Sequence, residues 1–417
     1  MKSYIISGGR PLFGEVNING SKNSAVAVLI AALIVNDTVT LSGIPDISDV
    51  TDCTSILSRL GCSVELLEQH TVKINSKNAI LADIPAEISS KMRASSYLMG
   101  AMLSRFGKCG GLSMGGCDFG SRPINYHLLA LESLGATLEN DENSVILSAP
   151  DGLRGALIKF PRPTVGGTVN AIIAAVRAKG TTVIEGAARE PHVSDLCEFL
   201  LACGADINGH GSDCITVNGV DKLHGASFKI RTDMIEAGTY VSMALATGGR
   251  IKCNNAPVSD LDAVFEALRR MGATLDITES SVEVYADRLI RTQIRTAPYP
   301  EFPTDLHPLF TVLLSRASGV SFIDESIFEH RFRYLDELSR FGVDTELKDG
   351  ILLINGGTSL SPAIASCTDL RGGAALISAA LCAEGKSYIS NVRYVQRGYE
   401  NMPKKLTLLG ADITESE

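Results

Sequence analysis

The sequence predicts a mixed α/β (α+β) chain of two similar domains with a ligand cleft between them. Each domain is read as three copies of one unit of about 70 residues. Two regularities carry this reading. A glycine recurs at the end of an apolar helical segment, and a small-residue helix opens each unit behind a charged or glycine-rich residue.

The marker glycines are Gly61, Gly135, Gly204, Gly272, Gly342 and Gly410, spaced 74, 69, 68, 70 and 68 residues apart. Glycine ends a helix in the left-handed conformation without a Cβ penalty. The segment before each marker has helical periodicity, as in Leu261, Val264, Leu268 and Met271. The segment after it alternates, as in Thr274-Leu275-Asp276-Ile277 and later Val282-Glu283-Val284, which is strand spacing.

The first half of each unit repeats as well. Small-residue helices are expected over Ala25–Val35, Ala171–Ala178, Gly238–Ala246 and Gly373–Ala383. Strands follow at Thr38–Leu41, Thr181–Ile184, Ile251–Asn254 and Lys386–Ile389. One unit therefore reads helix–strand–helix–strand–strand. The Ala- and Gly-rich first helices suit burial on all sides.

The chain has 417 residues and a formal charge of −9, from 38 basic and 47 acidic residues. Hydrophobic residues make up 45% and charged residues 20%, a folded rather than a disordered composition. The acidic balance argues against a nucleic-acid surface, which needs clustered Lys and Arg. It leaves room for a small anionic substrate. The longest apolar run, Ala25–Val35, has 11 residues, where a membrane span needs about 20. Met1–Ile6 turns polar before a signal-peptide core could form. A cytoplasmic chain with no membrane partner is expected. The ten cysteines show no C-x-x-C pair and no Cys/His cluster at zinc spacing, so most read as buried small hydrophobes and no metal is expected.

Counting back from the markers, Lys22, Arg93, Gly166, Asp233, Asp305 and Arg371 fall 39, 42, 38, 39, 37 and 39 residues earlier, at the start of each first helix. Helix N-termini suit phosphates and carboxylates. Simple N-capping is the competing reading for Asp233, Asp305 and Asp369. It does not explain Lys22, Arg93 and Arg371, because cations there are unfavourable unless an anion offsets them. The loop Met114–Pro123 sets Cys117 among glycines, with Arg122 five residues on to favour a thiolate. The segment Arg295–Asp305 has three prolines in six residues, a stiff approach that fixes Asp305 for work as a base or as a cap. Arg397 lies in the loop before the last helix, as a solvated surface cation or a site residue.

Several of these segments occur together in a fixed order. They are Gly14-Glu15-Val16, Gly20-Ser21-Lys22-Asn23, Lys91-Met92-Arg93-Ala94-Ser95 and Gly115-Gly116-Cys117 with Gly120-Ser121-Arg122-Pro123. Ala187-Ala188-Arg189-Glu190-Pro191, Arg295-Thr296-Ala297-Pro298, Phe302-Pro303-Thr304-Asp305, Asp369-Leu370-Arg371 and Arg397-Gly398-Tyr399-Glu400 complete the set. Over essentially the whole chain they resemble the enolpyruvyl transferases, and within them the branch that acts on UDP-N-acetylglucosamine. The resemblance implies a two-domain inside-out α/β barrel, each domain three βαβαββ repeats around buried helices, with the active site in the interdomain cleft. Residues 22–229 would form the first domain with the Cys117 loop. Residues 1–21 and 230–417 would form the second, with Asp305, Arg371 and Arg397.

The implied reaction moves the enolpyruvyl group of phosphoenolpyruvate to the 3′-hydroxyl of UDP-N-acetylglucosamine and releases phosphate, by addition and then elimination. It is the first committed step of peptidoglycan synthesis. No cofactor is implied, and a monomer is the expected state. Lys22, Arg122 and Arg397 resemble the cations for phosphoenolpyruvate. Cys117 resembles the acid that protonates its methylene, and Asp305 the base that takes the hydroxyl proton. Asn23, Arg93, Arg122, Pro123, Ile124, Asn125, His127, Arg162, Thr164, Val165, Gly166, Asp305 and Ile327 are implied on the nucleotide sugar. Asp233, Arg331, Asp369 and Arg371 are implied to line the cleft. The chain departs from the family at Asn125, where Asp is usual, and at Met234, where Arg is common. Arg162 stands where Lys is common, and Leu306-His307-Pro308 and Gly372-Gly373 are unusual. The loop Cys117 sets it apart from the shikimate-pathway branch.

Overall fold

The computed structural model describes residues 2–84, 93–112, 124–141 and 144–416. It is a mixed α/β fold with six small sheets among the described residues, five of four strands and one of three. In the first, Thr38–Ser42 runs parallel to Ser227–Lys229 and antiparallel to Thr71–Asn75, and Ser63–Glu68 closes the edge. Three of the other four-stranded sheets keep the same order, a parallel pair joined to a hairpin whose second strand lies next to the pair. In the fourth, Ser3–Gly8 and Asp412–Ser416 stand where the hairpin would be. The strand that opens each parallel pair, such as Leu157–Thr164 or Gln293–Thr296, is an addition to the pattern read from periodicity. It is short or interrupted by proline, so alternation does not mark it.

The chain divides into two compact units, Gly20–Arg231 and Met1–Asn19 with Thr232–Glu417. Each has its own apolar core. In the second unit the chain start supplies two strands. Ser3–Gly8 lies antiparallel between Gly385–Ser390 and Asp412–Ser416, and Phe13–Asn17 runs parallel to Arg250–Asn254. Tyr4 and Ile6 thereby enter the core.

The small-residue helices are the inner ones. Lys22–Val35 is buried from Ser24 to Val35. The helices Met234–Ala246, His307–Arg316 and Leu370–Cys382 pack on one another in the second unit. Small residues set the spacing: a Cβ on Gly100 would lie 2.7 Å from the Asn170 side chain and 2.8 Å from its carbonyl. The second helices are amphipathic instead. Asp262–Arg270 buries Val264, Phe265 and Leu268 and ends on exposed Arg269 and Arg270. No described helix is long and apolar enough to cross a membrane.

The marker glycines all adopt left-handed backbone, with φ between +80° and +94°. At Gly61 the bonds Gly61 N–H to Ser58 O and Cys62 N–H to Leu57 O close the helix end, and Gly204, Gly272 and Gly410 repeat this pair. The inner helices begin before their apolar runs. They start at Lys22, Val165, Met234 and Leu370, three to six residues earlier than the apolar runs suggest. The polar residues in front are caps that satisfy free N–H groups, and a reading based on apolar runs leaves them out. The helix expected to reach Ala178 ends at Ala175. Of the described cysteines only Cys214 is exposed.

Candidate active site

The six positions counted back from the markers do stand at helix starts. Lys22 opens Lys22–Val35, and Arg93 opens a 3-10 turn that leads into Leu98–Phe106. Gly166 is the second residue of Val165–Ala175, and Arg371 the second of Leu370–Cys382. The three aspartates separate. Asp233 caps its helix by accepting from the N–H groups of Ile235 and Glu236, and Asp369 accepts from Arg371 and Gly372. Capping accounts for both. Asp305 accepts from no helix N–H group among the described residues. It sits in the 3-10 turn Thr304–Leu306 and turns its carboxylate to two arginines.

Arg331 Nη2 donates to Asp305 Oδ1 at 2.7 Å, and Arg371 Nε donates to Oδ2 at 3.0 Å, with Arg371 Nη2 also 3.0 Å from Oδ2. The Asp305 side chain is 29% exposed, and those of Arg331 and Arg371 are 3% and 4% exposed. Burial works against ionisation of Asp305, but Arg371 and Arg331 outweigh it and hold the carboxyl well below its usual range. A carboxylate so held can orient a hydroxyl by accepting its hydrogen bond, but it binds a proton weakly. It becomes a stronger base when an anionic ligand draws a guanidinium away. Arg371 Nη1 is buried without a hydrogen-bond partner among the described residues, and the guanidinium lies 5.2 Å from the Tyr399 ring. Such an N–H suits an anion.

A buried carboxylate that sequence reading missed holds both arms of this pair. Glu325 Oε2 accepts from Thr304 Oγ1 at 2.8 Å, one residue from Asp305. Its Oε1 accepts from the N–H groups of Ile327 and Phe328 at 2.9 and 3.0 Å, on the way to Arg331. His307 Nδ1 lies 3.4 Å from Oε2, and its Nε2 is bonded to Tyr334 Oη at 2.7 Å. Nothing in the local pattern around Glu325 marks it, because its bond to Thr304 comes from a segment 21 residues away and only its bonds to Ile327 and Phe328 are local. Arg397 ends the 3-10 turn Val392–Arg397 and is half-buried.

In the unit Gly20–Arg231, Lys22 Nζ pairs with Asp49 Oδ2 at 2.8 Å, with side chains 15% and 2% exposed. Asp49 stands in the first turn of Ser48–Arg59, where a carboxylate is favourable, and it offsets the Lys22 charge at its own helix start. An acidic residue at a helix start was the available signal for Asp49. Asn23 is half-buried beside Lys22. The segment Arg162–Gly166 runs from strand to helix. Thr164 Oγ1 caps Gly167 N–H, and the Arg162 guanidinium lies 5.8 Å from the Tyr126 ring. His127 is buried against Gly166, and Ile124 and Asn125 lie at the start of Asn125–Ser133. Cys117, Arg122 and Pro123 lie outside the described residues. Among the described residues no three His, Cys, Asp or Glu side chains cluster to hold a metal.

Comparison with known proteins follows the same lines. The family model of EPSP synthase (3-phosphoshikimate 1-carboxyvinyltransferase) matches residues 6–406. UDP-N-acetylglucosamine 1-carboxyvinyltransferase 3 of Caldanaerobacter subterraneus subsp. tengcongensis is 43% identical over 414 residues, covering 99% of each chain. UDP-N-acetylglucosamine 1-carboxyvinyltransferase of Streptococcus pneumoniae is 41% identical over 415 residues, again 99% of each. Among solved structures, the enolpyruvyl transferase NikO from Streptomyces tendae superposes with a TM-score of 0.91 at 25% identity, covering 100% of this chain and 99% of that one. EPSP synthase from Acinetobacter baumannii shares the fold, with a TM-score of 0.75 at 18% identity and all of both chains covered.

Proposed function

This chain belongs to the EPSP synthase (3-phosphoshikimate 1-carboxyvinyltransferase) family, and on that footing we propose that it transfers the enolpyruvyl group of phosphoenolpyruvate to the 3′-hydroxyl of UDP-N-acetylglucosamine. One observation carries the choice of acceptor. Relatives named for that acceptor are 41–43% identical over 99% of both chains, whereas an EPSP synthase is 18% identical.

In this reading Lys22, Arg122 and Arg397 hold the phosphate and carboxylate of phosphoenolpyruvate. Cys117 gives a proton to the methylene, which leaves cationic character at the adjoining carbon for attack by the hydroxyl. Asp305 orients that hydroxyl while Arg331 and Arg371 hold it. It gains basicity as Arg371 turns to the incoming anion. Asn23, Arg93, Ile124, Asn125, His127, Arg162, Thr164, Val165, Gly166 and Ile327 contact the nucleotide sugar. Asp233 and Asp369 hold their helices in place. In the elimination the new methyl group gives up a proton and the phosphate departs past the same cations, which restores the vinyl double bond. We place the reaction in the cytoplasm, in a monomer, at the first committed step of peptidoglycan synthesis.

The test is phosphate release from phosphoenolpyruvate with UDP-N-acetylglucosamine. Release that falls by about 100-fold or more in Cys117→Ala, the range for loss of a general acid, supports the assignment. No release with this acceptor overturns it. A fosfomycin-type epoxide should add to Cys117 in the presence of the nucleotide sugar, read by intact mass. A second reading, the same transfer to a different acceptor, is favoured by Asn125 in place of the usual Asp and by Met234 at the start of its helix. Phosphate release with another hydroxyl acceptor and none with UDP-N-acetylglucosamine would select it.

A further inference from the structure

We propose that Asn170 is a positioning residue for the acceptor site, and that it holds His127 in the tautomer with its proton on Nε2. The inference rests on the reading of His127 as an acceptor contact. The Gly100 backbone N–H lies 2.7 Å from Asn170 Oδ1. It can only donate, so that oxygen accepts. The Ser96 carbonyl lies 3.0 Å from Asn170 Nδ2. It can only accept, so one amide hydrogen goes there. Asn170 Nδ2 also lies 2.7 Å from His127 Nδ1. The Gly166 carbonyl is also in reach of Nδ2, but at 3.5 Å it competes weakly. An amide nitrogen has no lone pair to offer, so Nδ1 accepts the other hydrogen and the ring proton is left on Nε2. Exchanging the amide oxygen and nitrogen would break both backbone bonds, so these two bonds fix the amide orientation and with it the ring tautomer.

The environment preserves this arrangement. Asn170 is fully buried and His127 is 6% exposed, so water competes little for these bonds. A proton on Nδ1 would set two N–H donors against each other. Asn170 also joins three segments that carry acceptor-site residues. It stands on Val165–Ala175. It bonds Ser96 in the turn opened by Arg93 and Gly100 in the helix that follows, and it bonds His127 in Asn125–Ser133. A Cβ on Gly166 would lie 2.4 Å from His127 Nε2 and Cε1, so the protonated edge of the ring rests on the start of that helix. Any group that meets Nε2 there meets a donor. The fitting ligand atom is an acceptor-only oxygen, such as one on a diphosphate or a carbonyl.

Histidine-ring 15N labelling of the full chain reads the tautomer directly. His127→Gln identifies the His127 signals among the seven histidines. At neutral pH the expected ring has a bare Nδ1 and a protonated Nε2. A protonated Nδ1 in the wild type overturns the proposal. In Asn170→Asp the carboxylate still accepts from Gly100 but now calls for a proton on Nδ1. A proton should appear there, and the KM for UDP-N-acetylglucosamine should rise about tenfold, the size of one hydrogen bond, with the KM for phosphoenolpyruvate little changed. Unchanged ring signals, or equal rises in both KM values, overturn the positioning role. If Asn170→Asp fails to fold, the wild-type tautomer still decides. The spectra need no turnover, so a wrong acceptor would show as absent phosphate release with the tautomer intact.

Discussion

Asp305 differs from Asp233 and Asp369 above all in its partners. All three stand before inner helices, and two of them satisfy helix N–H groups. Asp305 faces two guanidinium groups that are nearly fully buried. Asp305→Asn would remove the carboxylate charge that both cations bond. The expected loss is about 2–3 kcal/mol, below the range for a fully buried pair because Asp305 is partly exposed, read by chemical denaturation. Turnover should fall at the same time by about 100-fold or more, as for a lost general base. A variant with full stability would show that the arginines have other anionic partners. His307 gives a pH test. Burial holds its imidazole below the usual range, outweighing Glu325. The unfolded chain therefore takes up the proton more readily than the folded one. Stability is complete above the ordinary histidine range near about pH 6.5, and it is lost as the pH falls through that value toward the lower folded one. The thermal midpoint should drop less on acidification in His307→Gln, which keeps hydrogen-bonding groups but cannot titrate. Equal slopes in the two proteins would rule His307 out as the cause.

The repeated elements could be read from the sequence because each has a local cause. A helix end in left-handed backbone requires glycine or a small polar residue, and the marker glycines all show it. The inner helices are small and apolar because other helices surround them. Their apolar runs begin later than the helices do, since the caps Ser21, Thr164, Asp233 and Asp369 are polar, so the count back from the marker glycines marks the starts better than the runs. Two substitutions separate backbone strain from steric fit. Gly410 has φ +93° and open space around an added Cβ, so Gly410→Ala should cost only the conformational penalty, about 1 kcal/mol. A Cβ on Gly20 would lie 1.7 Å from the Gly43 carbonyl oxygen, so Gly20→Ala should cost more than about 3 kcal/mol or prevent folding. Thermal melting compares the two. Similar losses would mean that the backbone around Gly20 can move aside.

Across the molecule, one small segment ties distant parts of the chain together. Ser3–Gly8 pairs with Gly385–Ser390 on one side and Asp412–Ser416 on the other. Deleting it would strip both strands of partners and open the core where Tyr4 and Ile6 are buried. The expected outcome is loss of cooperative melting in the unit built from the chain's two ends, with the unit Gly20–Arg231 still folding on its own core. Limited proteolysis would show this as a surviving fragment from that unit, and an intact full-length band would contradict it. Six units of about 70 residues, their helix ends and the charged helix starts were legible from the chain alone, because each follows from contacts within a few residues. The partners of Asp305, the hold of Glu325 on both arms of that pair, and the pairing of Lys22 with Asp49 were decided only in the folded molecule. Apart from the local bonds of Glu325 to Ile327 and Phe328, those contacts join residues 21 to 66 positions apart, from 304–305 to 325, 331 and 371 in one unit and from 22 to 49 in the other. No local pattern records which side chains packing will bring within hydrogen-bond reach.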